Sequence, residues 1–476
     1  MMNYETIIGL EVHVELSTES KLFCPCSTRF GDKPNSNCCP VCIGMPGVFS
    51  ILNKKAVEYA ISVGIALDCT IVKSCTFDRK NYFYPDLPKG YQISQKYCPI
   101  AKNGRLIIDT KDGSKSIGIH EMHIEEDAGK LIHDSDNNQT LVDYNRSGVP
   151  LIEIVSEPDL RCADEAAAFL DKLRMMLIYM GVSDCKMQEG SMRVDINLSV
   201  RKTGSREFGT RTEIKNLNSV KAITKAIEGE SKRQIDILKA GGVVDKETRR
   251  WDDNKNESIR MRTKEEEDDY RYFPDPDIVP IEISDNWIDR LRSSLPEFRD
   301  EKIIRYQKEY GISKYDAEVI TSSVEMAKLF EDTTKLCDLP KEAANWLMVE
   351  GMRLLNENNI DACDICITPE RLSKLILMVE QGRVNRIKAK EVFEKSFLEN
   401  IDPEEYVKNH RLEMISDASV IRLAAMKVLE DNPGAVSDYK NGKKKAFGNL
   451  VGQTIKAMDH KADPAIVNAI IKELLE

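Results

Sequence analysis

Up to about residue 290 this 476-residue chain keeps returning to strict alternation of apolar and polar side chains, and beyond that point apolar residues recur at helical spacing. Alternation suits a strand with one buried face, whereas recurrence every three or four residues suits an amphipathic helix. The pattern predicts an α+β chain: a largely antiparallel sheet in the N-terminal part, followed by all-α segments. The clearest alternating stretches are residues 8–16, 117–125, 151–155 and 192–200. At least two amphipathic helices are expected among them, one through residues 163–180 and stopping at Gly181, the other following Asn218 and ending at Gly241 and Gly242. Residues 268–280, with three prolines, read as an ordered irregular segment closing this part. Residues 286–404 read as helical. A last helical module ends in ADPAIVNAIIKELLE, where Asp463 is expected to cap a helix and Pro464 to fill its first turn.

The polar faces of the strands carry chemistry. A strand through GLEVHVEL turns Leu10, Val12, Val14 and Leu16 one way and Glu11, His13 and Glu15 the other. HEMHIEEDAG puts His123 and Glu125 on one face, with Glu126 and Asp127 following. SMRVDINLSV exposes Arg193, Asp195 and Asn197 opposite its apolar set, and TEIK adds Glu213 and Lys215 at the same spacing. Oxygen-rich ligands with an imidazole favour a hard cation such as Mg²⁺ over zinc. Mg²⁺ with Lys and Arg nearby equips a site for phosphoryl transfer. The competing reading is that these are the solvated outer faces of antiparallel strands. No Walker loop or helix-opening GxGxxG is present, and GSREFG (residues 204–209) lacks the Lys-Ser/Thr ending. The sequence also has no GxSxG elbow and no serine-rich amidase signature, so nitrogen drawn from an amide needs another subunit to release it. The acidic run at 265–269 reads as a solvated segment.

FCPCSTRFGDKPNSNCCPVC, residues 23–42, holds five of the thirteen cysteines. The first residues are acidic and lack a secretory apolar region, and no apolar run is long enough to span a bilayer, so a cytoplasmic protein with no membrane partner is expected. An odd number of cysteines in a reducing compartment argues against a disulfide framework. Cys24 and Cys26 form a CxC pair, Cys39 and Cys42 a CxxC pair, and four thiolates on two knuckles suit tetrahedral zinc. Unligated buried cysteines are the alternative. A site with four protein ligands is closed, which points to a structural metal. Cys38 is the spare, and the CxxC at Cys363 and Cys366 has no partner pair and is expected simply to pack.

The net charge of −11 excludes a chain that binds nucleic acid along its whole surface. From Arg411 onward ten Lys/Arg oppose nine Asp/Glu, which leaves −12 on the rest. A polyanion contact is better placed in this tail, where GKKK ends at Lys445, although a solvated lysine loop reads equally well.

Taken together, IGLEVHVEL, the cysteine loop, FDRKNYFYPDLPKGYQISQ, HIEEDAGK, VDYNRSGVPLIEIVSEPD, EGSMRVDINLS, KNLNS, ETRRWD and DDYRYFPDPDIVP resemble the B-subunit family of the glutamine-dependent aspartyl/glutamyl-tRNA amidotransferases. The resemblance spans nearly the whole chain. It implies a catalytic cradle over residues 1–292, a helical domain over 293–405 and a tRNA-contacting tail module over 406–476. It also implies a heterotrimer with an amidase subunit and a small C subunit. In this family ATP and Mg²⁺ phosphorylate the side-chain carboxylate of Glu or Asp mischarged on tRNA, and channelled ammonia then gives Gln-tRNA(Gln) or Asn-tRNA(Asn). Matching motifs imply a metal site of Glu11, His13, Glu125 and Glu126, with Asp195 and Glu213 as further members. Glu125 and Glu126 are expected to be catalytic, with Lys215 and Arg193 holding phosphate. Some family members lack the cysteines; this chain keeps Cys24, Cys26, Cys39 and Cys42, which supports structural Zn²⁺ here. The rival readings are a non-catalytic zinc-containing RNA adaptor and a free-standing ligase using free ammonia.

Overall fold

The computed structural model describes residues 4–476 apart from 135, 254 and 264–266. The acidic run at 265–269 falls largely outside the described residues. The chain divides into two compact units, Met1–Glu297 and Phe298–Glu476.

The first unit is built on a nine-stranded sheet. Its strands are β1 (Tyr4–Glu15), β2 (Thr70–Ile71), β3 (Ala101–Thr110), β4 (Gly113–Glu126), β5 (Pro150–Ser156), β6 (Met192–Lys202), β7 (Thr212–Lys215), β8 (Glu247–Asp252) and β9 (Glu257–Thr263). They lie in the order β9-β8-β7-β6-β1-β5-β4-β3-β2, and every pairing is antiparallel except β7 with β8. The four alternating stretches of the sequence become the four central strands. Ile8, Leu10, Val12 and Val14 of β1, Ile152 and Ile154 of β5, and Val194, Ile196 and Leu198 of β6 are buried. Three helices, α1 (Lys54–Ala66), α2 (Ala163–Tyr179) and α3 (Val220–Lys239), pack against the sheet. Each such side chain contributes about 1.5–3 kcal/mol by leaving water, and a one-residue slip would drive Glu11 and His13 into that core. The apolar face therefore sets the register that aligns the polar one.

A three-stranded sheet joins Asp78–Asn81 to Tyr91–Ser94 and to Phe273–Pro274. The segment expected to be irregular thus supplies an edge strand. Arg79 holds the turn after that strand, with Nε 2.6 Å from Asp275 and Nη2 2.8 Å from Asp277. A proline is tolerated at such an edge because its missing N–H is not needed there.

Among its described residues the second unit is helical and carries no β-strand. It has two cores, one gathered from Ile303, Phe330, Trp346 and Phe397 among others, the other from Ile421, Leu450 and Ile471. Asp463 caps the last helix, Pro464–Leu475, accepting from the amides of Ala465 and Ile466, with Pro464 in its first turn as expected. Cys363 and Cys366 are a correction: both are exposed rather than packed, Cys363 within the short turn Ala362–Asp364 and Cys366 just after it. Among the described residues no helix is long and apolar enough to cross a membrane.

Candidate active site

The polar face of the central strands is one surface. Across it, His123, Glu153, His13 and Arg193 form a continuous row of cross-strand partners, and Glu11 pairs with Asp195 one step along. Two groups on this face can each hold a cation. In the first, ligand atoms of His13, Glu125 and Glu153 lie within 4.8 Å of one another. His13 Nε2 is 3.2 Å from Glu153 and 3.9 Å from Glu125. In the second, carboxylate oxygens of Glu11, Asp195 and Glu213 meet the same limit.

The electrostatics fit cations. Burial, then repulsion from Glu153, Asp195 and Glu213, raises the pKa of Glu11. Lys215 offsets part of that repulsion, with Nζ 2.6 Å from Asp195 and 3.5 Å from Glu213. Burial works against the charge of His13 and His123, but Glu153 and Glu125 outweigh it: both pKa values rise, that of His123 to about 10. Two oxygens on one Mg²⁺ lie at most about 4.2 Å apart, twice a bond of about 2.1 Å. Each group needs only a small inward movement to close on such an ion.

The predicted residues therefore separate. Glu11, Asp195 and Glu213 come together, as do His13 and Glu125, but Glu126 lies in neither group. Consecutive strand residues face opposite ways, and Glu126 turns from the polar face to pair with Lys89 and to accept from the Ile93 amide at 3.3 Å. Arg193 is engaged as well, donating from Nη2 to Asp127 at 2.8 Å. Beside that ion pair Glu15 is pushed up to about 9, by burial and then by Asp127.

Two residues escaped sequence reasoning. Glu153 is the lone acid in the apolar run LIEIV, and only its strand partners reveal its role. Lys80 has its ammonium 5.0 Å from the Tyr270 ring and 6.0 Å from that of Tyr82. Burial works against its charge, but Glu125 and Glu153 raise its pKa. No periodicity signals it.

Away from the polar face, the Sγ atoms of Cys24, Cys26, Cys39 and Cys42 lie within 4.8 Å of one another. Bonds of about 2.3 Å to zinc bring sulfurs to ~3.8 Å, so the donor set and its near-closure fit the metal. The Cys39 amide donates to Cys42 Sγ at 3.2 Å, tying the knuckle. A hydrogen bond donated by the Cys24 thiol lowers the Cys42 pKa to about 4. Cys38 stays outside the group. The loop also props the route into β5, since Ser147 Oγ donates to the Cys42 carbonyl at 3.3 Å.

Clustered carboxylates, an imidazole and a lysine on one sheet face, with a separate thiol knuckle, are the equipment of a cation-assisted group-transfer enzyme. Comparison with known proteins narrows that class. Residues 6–289 match the GatB/GatE catalytic domain, and residues 328–475 match the GatB domain. The chain is 59% identical over 475 residues to the B subunit of the aspartyl/glutamyl-tRNA(Asn/Gln) amidotransferase of Lachnoclostridium phytofermentans, covering 100% of this chain and 99% of that protein. It is 55% identical over 478 residues to the protein of that name from Caldicellulosiruptor saccharolyticus, and 52% over 474 residues to that from Thermoanaerobacter pseudethanolicus, covering 100% of each chain in both cases. The chain belongs to the B-subunit family of aspartyl/glutamyl-tRNA amidotransferases, an enzyme family, which sets the adaptor reading aside.

Proposed function

We propose that this chain phosphorylates the side-chain carboxylate of Glu or Asp mischarged on tRNA, at the expense of ATP, and amidates it with ammonia. The products are Gln-tRNA(Gln) or Asn-tRNA(Asn). The observation that carries this reading is the convergence of two sets of potential ligand atoms on one sheet face, with Lys215 beside the second. His13, Glu125 and Glu153 would hold one Mg²⁺, and Glu11, Asp195 and Glu213 a second. Bound there, Mg²⁺ supplies positive charge that offsets the phosphoryl oxygens.

The chain's own residues do the rest. A carboxylate is a poor acyl donor because oxide is not a workable leaving group. The carboxylate oxygen takes the terminal phosphoryl group of ATP as its bond to ADP breaks and ADP leaves. The ammonia nitrogen then attacks the acyl carbon, the bond to the phosphorylated oxygen breaks, and phosphate departs as the nitrogen gives up a proton to it or to water. Lys215 supplies a fixed cation for phosphate, and Arg193, oriented by Asp127, supplies another. Fixed charges aimed where charge develops need no reorganisation during reaction.

The reading includes a heterotrimer in which an amidase subunit releases ammonia, a small C subunit joins the other two, and ammonia travels through an internal channel. It divides the chain into a catalytic cradle over 1–292, a helical domain over 293–405 and a tRNA-contacting tail over 406–476. The separate cores of the second unit support the last two. It also makes the thiol group a structural zinc site. The test is conversion of Glu-tRNA(Gln) to Gln-tRNA(Gln), and of Asp-tRNA(Asn) to Asn-tRNA(Asn), by the chain purified with its candidate partners. Product formed only with ATP and Mg²⁺ is expected. Product without ATP, or none from either tRNA, overturns the reading.

A further inference from the structure

One buried cation has no part in the reactions above. Lys21 is 1% exposed, and it is tied to the cysteine loop through its own amide, which donates to the Cys26 carbonyl at 3.0 Å. The next amide, that of Leu22, donates to the Gly148 carbonyl at 2.8 Å. The Lys21 ammonium donates to the Tyr144 carbonyl at 3.1 Å and, among the described residues, pairs with no carboxylate. An ammonium has three N–H donors to satisfy, and a buried charge without a counter-charge is costly.

Two kinds of anion lie close to it. A Cβ built on Gly148 would stand 3.6 Å from Lys21 Cδ, 3.6 Å from Cys42 Cβ and 3.7 Å from Glu126 Oε1, so one small gap joins all three side chains. Glu126 is already held by Lys89 and by the Ile93 amide. The sulfurs are what is left. The Cys42 thiol, lowered first by the hydrogen bond from Cys24, is lowered further by the Lys21 charge, and at Cys38 the same charge opposes the rise that burial causes.

Four thiolates around a divalent ion leave two negative charges in excess. Buried beside the sheet, that excess needs a cation close by, as any buried charge does. We propose that Lys21 is the buried counter-cation of the metal group formed by Cys24, Cys26, Cys39 and Cys42, offsetting the excess charge of the thiolates from outside the ligand set. The assignment rests on the structural-zinc reading given above. It makes Lys21 a positioning residue for the metal and gives a buried lysine in the cysteine loop a reason to be charged.

The full-length chain is stripped of metal and compared as wild type, Lys21→Met and Lys21→Gln. Zn²⁺ affinity is read by competition with a chromophoric chelator, and thermal midpoints are taken with chelator and with Zn²⁺. Methionine keeps the length and apolar stem of the side chain; glutamine keeps a donor for the Tyr144 carbonyl but carries no charge. Both variants are expected to bind Zn²⁺ roughly tenfold or more weakly, the scale set by partners outside a metal's ligand shell. Without metal, Lys21→Met should melt no lower than wild type, because it removes a buried charge that then has no counter-charge. Unchanged Zn²⁺ affinity in both variants overturns the proposal. So does normal affinity in Lys21→Gln alone, which would make the hydrogen bond to Tyr144 the whole role, and so does an equal fall of the midpoint with and without metal, which would make it one of packing. A wild-type chain that takes up no Zn²⁺ instead refutes the structural-zinc reading itself, and the counter-cation with it.

Discussion

His13 Nε2 stands 3.2 Å from Glu153 Oε2, and the two residues are direct partners on adjacent strands. His123 Nε2 lies 3.4 Å from the same oxygen, so one carboxylate serves two imidazoles. Burial opposes the charge of Glu153, but His13 and His123 hold its pKa well below the usual carboxylate range. Glu153→Gln keeps the shape and removes the charge. It is expected to lower Mg²⁺ affinity at this group by at least about tenfold, the scale on which even an outer partner of a metal ligand acts. The Mg²⁺ dependence of product formation measures this, with glutaminase activity of the complex as the value that should stay constant.

The sequence made much of this face legible. Alternation placed Glu11 with His13 and Arg193 with Asp195, since a period of 2 is a statement about which way a side chain points. The same rule also separates Glu125 from Glu126, which cannot share a face of one regular strand; motif matching grouped them all the same. What alternation cannot supply is strand order. Glu213 meets Glu11 only because β6 lies between β7 and β1, which brings together residues far apart in the chain. Glu153 stayed hidden for the same reason, as a lone acid in an apolar run acquires meaning only from the strands beside it. The cysteine group was legible because its geometry is local.

Glu125→Gln and Glu126→Gln should behave differently. Glu125 belongs to the group proposed to hold Mg²⁺ with His13 and Glu153, and its amide is expected to abolish ATP-dependent activation while glutaminase activity persists. Glu126 is buried against Lys89. Removing one partner of a buried ion pair costs on the order of 3 kcal/mol. Glu126→Gln should therefore lower the thermal midpoint while leaving Mg²⁺ affinity near the wild-type value. Equal loss of Mg²⁺ affinity in both variants would contradict the assignment.

The imidazoles make stability of the metal-free chain depend on pH. His123 titrates near 6.5 when unfolded and at about 10 when folded. Its ion pairing contributes fully below pH 6.5 and is lost as pH rises toward 10. Thermal midpoints measured with chelator should fall across that window, and His123→Asn should flatten the fall. Mg²⁺ binding at the first group needs neutral His13, so added Mg²⁺ should stabilise more at pH 9 than at pH 6.5. A metal effect independent of pH would exclude His13 as a ligand.

One zinc per chain is expected. Cys24→Ser or Cys39→Ser should each abolish it, because a three-thiolate remnant loses the closed tetrahedral set. The loop supports the entry to β5 through Ser147, so the thermal midpoint should fall with the metal. Elemental analysis of purified protein decides the first point. Retention of zinc in both serine variants would place the metal elsewhere.

The tail offers a test of nucleic-acid contact by salt dependence. Lys443, Lys444 and Lys445 lead into the helix Lys444–Ala457 and are all exposed. Lys443 is held by Asp438 at 2.9 Å, which makes Lys444 and Lys445 the better candidates for phosphate. A lysine that neutralises a phosphate releases a counterion, and its loss reduces the slope of log affinity against log salt by about 1. Lys444→Ala with Lys445→Ala should weaken tRNA binding and flatten that slope by up to about 2. A lysine pair acting only through folding of the tail would weaken binding without changing the slope. Filter binding from low to physiological salt separates the two, and an unchanged affinity would move the tRNA contact away from this loop.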